Sequence, residues 1–285
     1  MLKDSIQAAL DLGRLGNVLV TTFAVWVGGA VGAATFDPSS ALLGGMAAGL
    51  TTAWGNAIND IFDRDADALQ KSSRPIPSGR VSLKAARAWS ILFLVSGGAI
   101  AAHISGSAFI VVAGVSVVLV LYSWKLKGMH IAGHVSVALL GGLTFLFGAI
   151  VQGEAWTTIY PQGWIAFGLA TLWHLAREWV KAAEDVESDR EAGVQTLAVW
   201  ASPAAACRAA SIVLILLALL LTPPYLAGFF NLIYLFLVIV GVAPILVGAA
   251  VYLWSVPDAV RLKQIADLLK WNMLVGVCAI WFGLR

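Results

Sequence analysis

Long apolar runs, separated by short polar stretches, are the feature that most constrains the fold of this chain of 285 residues. A helix needs about 20 apolar residues to cross the hydrocarbon core of a bilayer, and each run is roughly that long. We place the spans at residues 15–35, 40–61, 84–104, 107–125, 132–152, 162–183, 203–222, 233–254 and 267–284. The pattern predicts an all-α polytopic membrane protein, a bundle of about nine transmembrane helices that forms a single domain over residues 1–285.

The composition excludes the usual soluble classes of enzyme. Hydrophobic residues make up 60% of the chain and charged residues 12%, against about 45–50% and about 25% in soluble domains. No room is left for a soluble domain, and we expect no nucleic-acid partner. Residues 1–13, which mix leucines with acidic residues, predict an interfacial amphipathic helix. Cys207 and Cys278 lie far apart in apolar spans and are interpreted as core residues.

Basic residues lie almost entirely on one side of this topology. Of the 18 lysines and arginines, all except Arg285 lie before the first span, or in or near the loops after spans two, four, six and eight. Because cytoplasmic loops are enriched in Lys and Arg, we expect a multi-pass protein of the cell membrane with a cytoplasmic N-terminus. The loops at residues 62–83 and 184–202 are then cytoplasmic as well.

Two acidic clusters lie on this same side, after the second and the sixth spans, and hold 10 of the 16 carboxylates. If the spans continue as helices, each cluster presents one acidic face. The first face comprises Asn56, Asp60, Asp63 and Asp67, and the second comprises Glu178, Asp185 and Asp189. Like charges on successive helical turns repel, and no basic residue is interleaved on these faces, so we expect a bound cation. A solvated helix end is the alternative. Oxygen ligands favour a hard ion such as Mg²⁺, which is usually bound together with phosphate.

Basic residues beside both clusters indicate the kind of phosphate. The segment "QKSSRPIPSGR" contributes Lys71, Arg74 and Arg80, "YSWKLK" contributes Lys125 and Lys127, and the sixth span contributes Arg177 and Lys181. Two acidic helices that hold Mg²⁺ within a ring of Lys and Arg suit a diphosphate. The alternative is that these residues reflect membrane topology alone.

The motifs resemble those of a known family, the UbiA-type intramembrane prenyltransferases. The segment "NAINDIFDRDAD" is similar to the family's N-x-x-N-D-x-x-D-x-x-x-D motif, and "EDVESDREAGVQTL" resembles its second D-x-x-x-D motif. The segments "SRPIPSGRVS" and "YSWKLK" resemble its connecting loops. These similarities follow one another in order over essentially the whole chain.

The resemblance implies an enzyme that uses Mg²⁺ to transfer a prenyl group from its diphosphate to an acceptor nucleophile, with the isoprenoid tail in a lipid-accessible cavity. It implies metal ligands at Asn56, Asp60, Asp63, Asp67, Asp185 and Asp189. It implies substrate-binding residues at Lys71, Arg74, Tyr122, Ser123, Lys125, Arg177 and Lys181. It also implies catalytic roles for Asp60, Asp185, Lys181 and Arg74.

Within the family, the longer motifs are most similar to the branch that makes archaeal-type ether lipids. That branch transfers a geranylgeranyl group to the hydroxyl of geranylgeranylglyceryl phosphate. Ala182 and Ser188 stand where the branch usually has Asp and Gly. The alternative acceptors are the aromatic ring of a quinone precursor and a chlorophyll or haem precursor. Outside the enzymes, a transporter is the alternative, because intramembrane carboxylates often mark ion pathways.

Overall fold

The computed structural model of the protein describes residues 2–70 and 72–284. Its α-helices are α1 (Leu2–Gly13), α2 (Leu15–Gly32), α3 (Pro38–Phe62), α4 (Arg64–Gln70), α5 (Leu83–Ile104), α6 (Gly106–Trp124), α7 (Ala132–Val151), α8 (Pro161–Glu184), α9 (Val186–Glu191), α10 (Leu197–Trp200), α11 (Pro203–Leu220), α12 (Pro223–Leu226), α13 (Leu232–Phe236), α14 (Ala243–Leu253) and α15 (Ala259–Phe282). A 3₁₀ turn covers Leu126–Gly128, and a π-helical segment covers Leu237–Val242. Two short strands, β1 (Met129–His130) and β2 (Gln195–Thr196), complete the described elements.

The predicted all-α membrane fold is confirmed, while the predicted count of nine spans is not. Seven helical stretches in the described residues are long and apolar enough to cross a membrane: Leu15–Gly32, Leu83–Ile104, Gly106–Trp124, Ala132–Val151, Pro203–Leu226, Leu232–Leu253 and Ala259–Phe282. Helices α3 and α8 have 25 and 24 residues but fall outside that set. They are the helices that carry the acidic motifs, and their polar residues lower their mean hydropathy.

The last span begins earlier than the sequence indicates. We placed its start at residue 267, because the residues before it include Arg261 and Lys263, whereas α15 begins at Ala259. Asp258 caps this helix, since its side chain accepts a hydrogen bond from the backbone N–H of Arg261. A capped helix end tolerates charged residues in its first turns, so apolarity alone placed the start too late.

The eighth predicted span is one continuous helical stretch whose middle is π-helical. Helix α13 runs into the π-helical segment, which runs into α14. Pro244 in the first turn of α14 has no N–H to donate, which disturbs the helical hydrogen bonds before it. The side-chain amide of Asn272 on α15 donates to the carbonyl oxygen of Gly241 at 2.7 Å and so satisfies a backbone acceptor inside the bundle.

Helices α2 and α7 pack with their backbones in contact. A Cβ atom at Gly28 would fall on the carbonyl oxygen of Phe145, and one at Gly148 would fall on the carbonyl oxygen of Val25. Small residues allow this close approach between membrane helices. The contact matters for the site because α2 packs against α3, and α7 packs against α8. The close packing therefore fixes the two motif helices relative to each other.

Helices α3 and α8 have the same local design. Each begins with a proline in its first turn and ends at an aspartate, Asp63 with φ −83° and ψ 0°, and Asp185 with φ −88° and ψ 7°. A short helix follows each aspartate. The prediction of one helix continuous through residue 67 is therefore wrong at Asp63, where α3 ends and α4 begins. Helical hydrogen bonding nevertheless continues past each aspartate. The backbone amides of Asp67 and Asp189 donate to the carbonyl oxygens of Asp63 and Asp185, each at a distance of 2.8 Å.

The loops predicted at residues 62–83 and 184–202 contain structure that the sequence did not indicate. Besides the short helices α4, α9 and α10, they include β2, which pairs in parallel with β1 from the loop after α6. Met129 lies opposite Gln195, and His130 lies opposite Thr196. The pairing ties the loop that follows the second motif to the loop that carries Lys127.

The contact between α2 and α7 gives a prediction about stability. We expect Gly148→Ala to lower the free energy of unfolding by about 1–3 kcal/mol, because its methyl group would meet backbone atoms that cannot move away. Gly168→Ala on α8 is the control, since no atom lies within 4 Å of the added Cβ. Thermal denaturation in detergent measures both, and equal melting temperatures for the two variants would contradict the packing argument.

Candidate active site

A cavity of about 1600 Å³ opens among α1, α2, α3, α6, α7, α8 and α15. One end lies where α3 and α8 terminate, and its wall there is polar. Along α3 the cavity wall includes Ala48, Thr52 and Asn56, and it continues to Asp63 just after the helix. The wall therefore becomes more polar toward the end of α3. Away from the motifs the wall is apolar and includes Val112 on α6. The shape suits an amphiphile with a charged head and a hydrocarbon tail.

The first motif presents oxygen atoms to this polar end. Asn59, Asp63 and Asp67 line the cavity. The side-chain amide of Asn59 donates to a carboxylate oxygen of Asp63 at 2.9 Å. Its Oδ1 atom is buried and has no hydrogen-bond partner among the described residues. A buried carbonyl oxygen without a partner costs free energy, so this atom is ready to accept a donor or a cation.

The carboxylates of the first motif are paired with basic side chains from elsewhere in the chain. Asp60, which is 2% exposed, accepts hydrogen bonds from Arg14 at 2.6 Å and Arg74 at 3.0 Å. Arg74 also donates to Asp67 at 2.7 Å, and Lys127 donates to Asp63. No basic residue is interleaved on this face within the motif, but other parts of the chain supply basic partners for its carboxylates.

The contact of Arg14 with Asp60 depends on an unusual backbone conformation. Arg14 joins α1 to α2 with φ 53° and ψ 69°. These angles lie in the left-handed region, which residues other than glycine seldom adopt. The side-chain amide of Asn56 donates to the carbonyl oxygen of the preceding Gly13 at 2.9 Å. Together these bonds hold the end of α1 against the first motif. The predicted helix at residues 1–13 is present as α1, and its Leu12 is buried against α3 and α5.

Burial raises the pKa of Asp67 above its ordinary value. The carboxylates of Asp63 and Asp60 act in the same direction, while the guanidinium of Arg74 opposes them. The ionised form of Asp67 is therefore favoured by any additional cation that enters the polar end of the cavity.

The second motif lines the same polar end. The cavity wall includes Lys181, Asp185 and Asp189, and Lys181 lies 3.5 Å from a carboxylate oxygen of Asp185 and 3.6 Å from one of Glu184. Glu184 itself does not line the cavity. The phenol of Tyr122 on α6 lies near enough to Asp63 and Asp189 to interact electrostatically with both carboxylates. Carboxylates of both motifs therefore face one shared space.

The structure brings most of the predicted site residues together. Those that line the cavity are Asn56, Asp63, Asp67, Arg74, Tyr122, Arg177, Lys181, Asp185 and Asp189. Ser123, Lys125 and Asp60 do not line it, since Lys125 is exposed at the end of α6 and Asp60 is buried beneath its two arginines. Lys71 lies outside the described residues.

Among the residues that line the cavity, Arg14, Asn59 and Lys270 were missed as site residues in the sequence, and Lys127 was named only among the flanking basic residues. Asn59 belongs to the quoted motif, so its place there was the signal for it. Lys127 follows Lys125 by two residues, and only the turn at Leu126–Gly128 decides which of the two faces inward. Arg14 carries no sequence signal, because its contact with Asp60 spans 46 residues.

The donor set fits Mg²⁺ in chemical type. Among the described residues, no three His, Cys, Asp or Glu side chains converge as a preformed metal-binding group. The polar end is lined by carboxylates and by Asn59, whose buried Oδ1 has no partner among the described residues, and all of these are hard oxygen donors. Mg²⁺ usually binds through one or two carboxylates plus substrate phosphates, so a preformed cluster of three is not required.

Solved structures share this architecture along nearly the whole chain. A structure described as that of digeranylgeranylglyceryl phosphate synthase in membranes is 28% identical, with a TM-score of 0.76, and the match covers 98% of each chain. A UbiA homologue from Archaeoglobus fulgidus, bound to GPP and Mg²⁺, is 20% identical, with a TM-score of 0.67 over 96% of this chain and 99% of that one. At 20% identity the second likeness shows the fold alone.

Sequence comparison gives a consistent result. The chain is 38% identical to digeranylgeranylglyceryl phosphate synthase of Methanopyrus kandleri over 96% of this chain and 98% of the relative. It is 34% identical to the enzyme of that name from Haloquadratum walsbyi over 99% of this chain and 96% of the relative. The model of the UbiA prenyltransferase family matches residues 18–274. The chain thus belongs to the UbiA prenyltransferase family, as its two acidic motifs indicated.

Proposed function

We propose that the protein transfers a geranylgeranyl group from its diphosphate to the free hydroxyl of geranylgeranylglyceryl phosphate, with Mg²⁺, in ether-lipid synthesis. The observation that carries this proposal is the single cavity that joins both acidic motifs to an apolar wall. Its volume of about 1600 Å³ exceeds the roughly 300–1,000 Å³ of ordinary ligand pockets. Two isoprenoid substrates need such a volume. The relatives named for this reaction, at 38% and 34% identity, support the same acceptor.

The proposed metal ligands are revised by the geometry. Asp63, Asp67, Asp185 and Asp189 line the polar end with Asn59, and we assign these oxygens to Mg²⁺. Bound there, Mg²⁺ supplies Lewis-acid stabilisation of charge on the diphosphate oxygens. Asn56 holds α1 in place through Gly13. Asp60 orients Arg14 and Arg74, so we assign it a positioning role.

The basic residues of the wall stabilise the leaving group. As the allylic C–O bond breaks, negative charge grows on the diphosphate, and Arg74, Lys127 and Lys181 lie beside the space where it would collect. Charged donors placed in advance act strongly where water is excluded. Each of these cations already has a carboxylate partner, so a diphosphate arriving with Mg²⁺ exchanges partners with it.

The acceptor hydroxyl forms the new C–O bond to the allylic carbon and gives up its proton. His174 on α8 lines the cavity one turn before Glu178 and packs over Gly141 of α7, so its imidazole is placed to take that proton. The apolar part of the cavity wall would keep water from the prenyl cation once the substrates fill the cavity.

The alternative acceptor is the aromatic ring of a quinone precursor, which would be attacked by the same prenyl donor. We expect purified protein with Mg²⁺ and labelled geranylgeranyl diphosphate to prenylate geranylgeranylglyceryl phosphate and to leave 4-hydroxybenzoate unchanged, as read by mass spectrometry. Chelation with EDTA should stop turnover, and added Mg²⁺ should restore it. Product from 4-hydroxybenzoate alone would reject the ether-lipid acceptor, and undiminished turnover in EDTA would reject the metal.

The metal assignment predicts different behaviour for two aspartates in the same segment. We expect Asp63→Asn to lower kcat/KM by roughly 100-fold or more, because it removes a charged ligand at the polar end. Asp65→Asn is the matched control, since Asp65 has a side chain that is 84% exposed and pairs with Arg64. Steady-state kinetics compares the two, and equal activities would count against a role for Asp63.

We also propose that the polar end of the cavity faces the cytoplasm, because the basic loops surround it. In a Cys278→Ala background, Ser72→Cys should react with a membrane-impermeant thiol reagent only after cells are opened. Thr157→Cys, in the exposed turn between α7 and α8, should react in intact cells. The native Cys207 is buried and stays silent. The reverse labelling pattern would invert the proposed orientation.

A further inference from the structure

The basic residues that line the cavity fall into two groups. In the first, Arg14, Arg74, Lys127 and Lys181 each pair with a carboxylate of an acidic motif. The second group consists of Arg177 on α8 and Lys270 on α15, and it lies where these two helices face each other. Arg177 balances Glu178 of the second acidic face, whereas Lys270 pairs with no carboxylate among the described residues.

Two hydrogen bonds hold α8 against the stretch of α15 that carries Lys270. The indole N–H of Trp173 donates to the carbonyl oxygen of Leu269 at 3.2 Å, and the Nε of Arg177 donates to that of Ala266 at 3.3 Å. Ala266 and Lys270 are one helical turn apart on α15 and so share a face. Arg177 therefore lies against the same face of α15 from which Lys270 reaches the cavity.

The charge of Lys270 is not balanced within the described residues. Arg177 has a carboxylate neighbour, Glu178, at 3.5 Å. Lys270 is half-buried in the cavity wall, yet no hydrogen bond or ion pair joins its ammonium group to another described residue. A half-buried ammonium group without a counter-ion favours an anion from outside the protein.

The cavity is open to the side near this pair. Trp271 and Leu19 line the cavity, yet they are 66% and 59% exposed. An apolar side chain that is exposed in a membrane-spanning helix faces lipid. Because Trp271 directly follows Lys270, the lysine lies next to exposed apolar wall, on the side from which a membrane lipid would enter.

We propose that Lys270, together with Arg177, binds the phosphate monoester of the lipid acceptor, as a subsite separate from the one for the diphosphate. This inference rests on the proposed function, in which both substrates carry phosphate. Two phosphates in one place would repel each other, and the first group of cations with Mg²⁺ suits the more highly charged diphosphate. The acceptor's phosphate is joined to its glycerol backbone only a few bonds from the reacting hydroxyl. Holding the phosphate at Lys270 therefore positions the hydroxyl.

The subsite also separates the candidate acceptors by their chemistry. A glyceryl phosphate lipid offers Lys270 a phosphate monoester, whereas an aromatic acceptor such as 4-hydroxybenzoate offers only a singly charged carboxylate. The pair would then be a determinant of acceptor specificity and would leave binding of the prenyl diphosphate untouched.

The test compares two acceptors that differ only in the phosphate, geranylgeranylglyceryl phosphate and geranylgeranylglycerol. At saturating geranylgeranyl diphosphate and Mg²⁺, Lys270→Met should raise the KM for the phosphorylated acceptor by roughly 10- to 100-fold, the usual effect of losing one charged hydrogen bond. The KM for geranylgeranyl diphosphate and the rate with geranylgeranylglycerol should stay as in the unmodified protein. Lys270→Arg, which keeps the charge, should retain most of the affinity for the acceptor.

Lys263→Met is the matched control, since Lys263 lies on the same helix but is exposed and away from the cavity wall. Melting temperatures in detergent establish that each variant is folded, and Lys270→Gln serves as a second variant that removes the charge but keeps a polar end. An unchanged KM for the phosphorylated acceptor, an equal loss with both acceptors, or a raised KM for geranylgeranyl diphosphate would overturn the subsite. Failure of the unmodified protein to prenylate geranylgeranylglyceryl phosphate would instead reject the proposed function, and the subsite with it.

Discussion

Charge pairing at the ends of α3 and α8 is the interaction on which the site depends. Asp60 is almost completely buried, and a carboxylate taken out of water needs a counter-charge. Arg14 and Arg74 supply it from two separate loops, and Arg74 extends the pairing to Asp67. Removal of one partner from such a pair typically costs about 3–5 kcal/mol. The network therefore fixes the α1–α2 junction and the loop after α4 at the same time as it shapes the polar end of the cavity.

The two motif helices repeat one solution to a problem set by the membrane. Polar oxygens must stand at one end of an apolar cavity without breaking the helices that hold them. Both α3 and α8 end at an aspartate, and a short helix continues from it, so carboxylates from two successive turns reach the same space. The close contact of α2 with α7 and the β1–β2 pair then bring the two ends together. The site is thus assembled by packing far from it as well as by its own residues.

The basic residues of the cavity differ in how their charges are balanced, which matters for the two phosphorylated substrates that we propose. Those beside the acidic motifs are already paired, which keeps them in place and lets a diphosphate with its metal exchange partners with them. Lys270 stands apart on α15 with its charge unbalanced among the described residues, next to the lateral opening. This separation is the basis for the two chemically different subsites that we propose at one polar end of the cavity.

Much of this protein was predictable from its sequence because the membrane permits few solutions. Apolar runs of sufficient length must form helices, since no water is present to satisfy the backbone, and the spacing of the acidic residues is visible in the chain. Asp63, Asp67, Asp185 and Asp189 were found in this way. The start of α15 and the polarity of α3 and α8 were harder to judge, because capping residues and functional polar groups depart from the apolar pattern.

Only the tertiary structure decided which polar groups face the cavity. Asp60 belongs to the motif but is buried beneath Arg14 and Arg74, while Asn59 beside it leaves an oxygen free. A single turn places Lys127 rather than Lys125 against Asp63. The sequence determined the helices and the chemical types at the site, because these follow from local patterns. The partners of each charge depend on residues far apart in the chain, such as Arg14 with Asp60 and Arg177 with Ala266, and no local pattern records a contact of that kind.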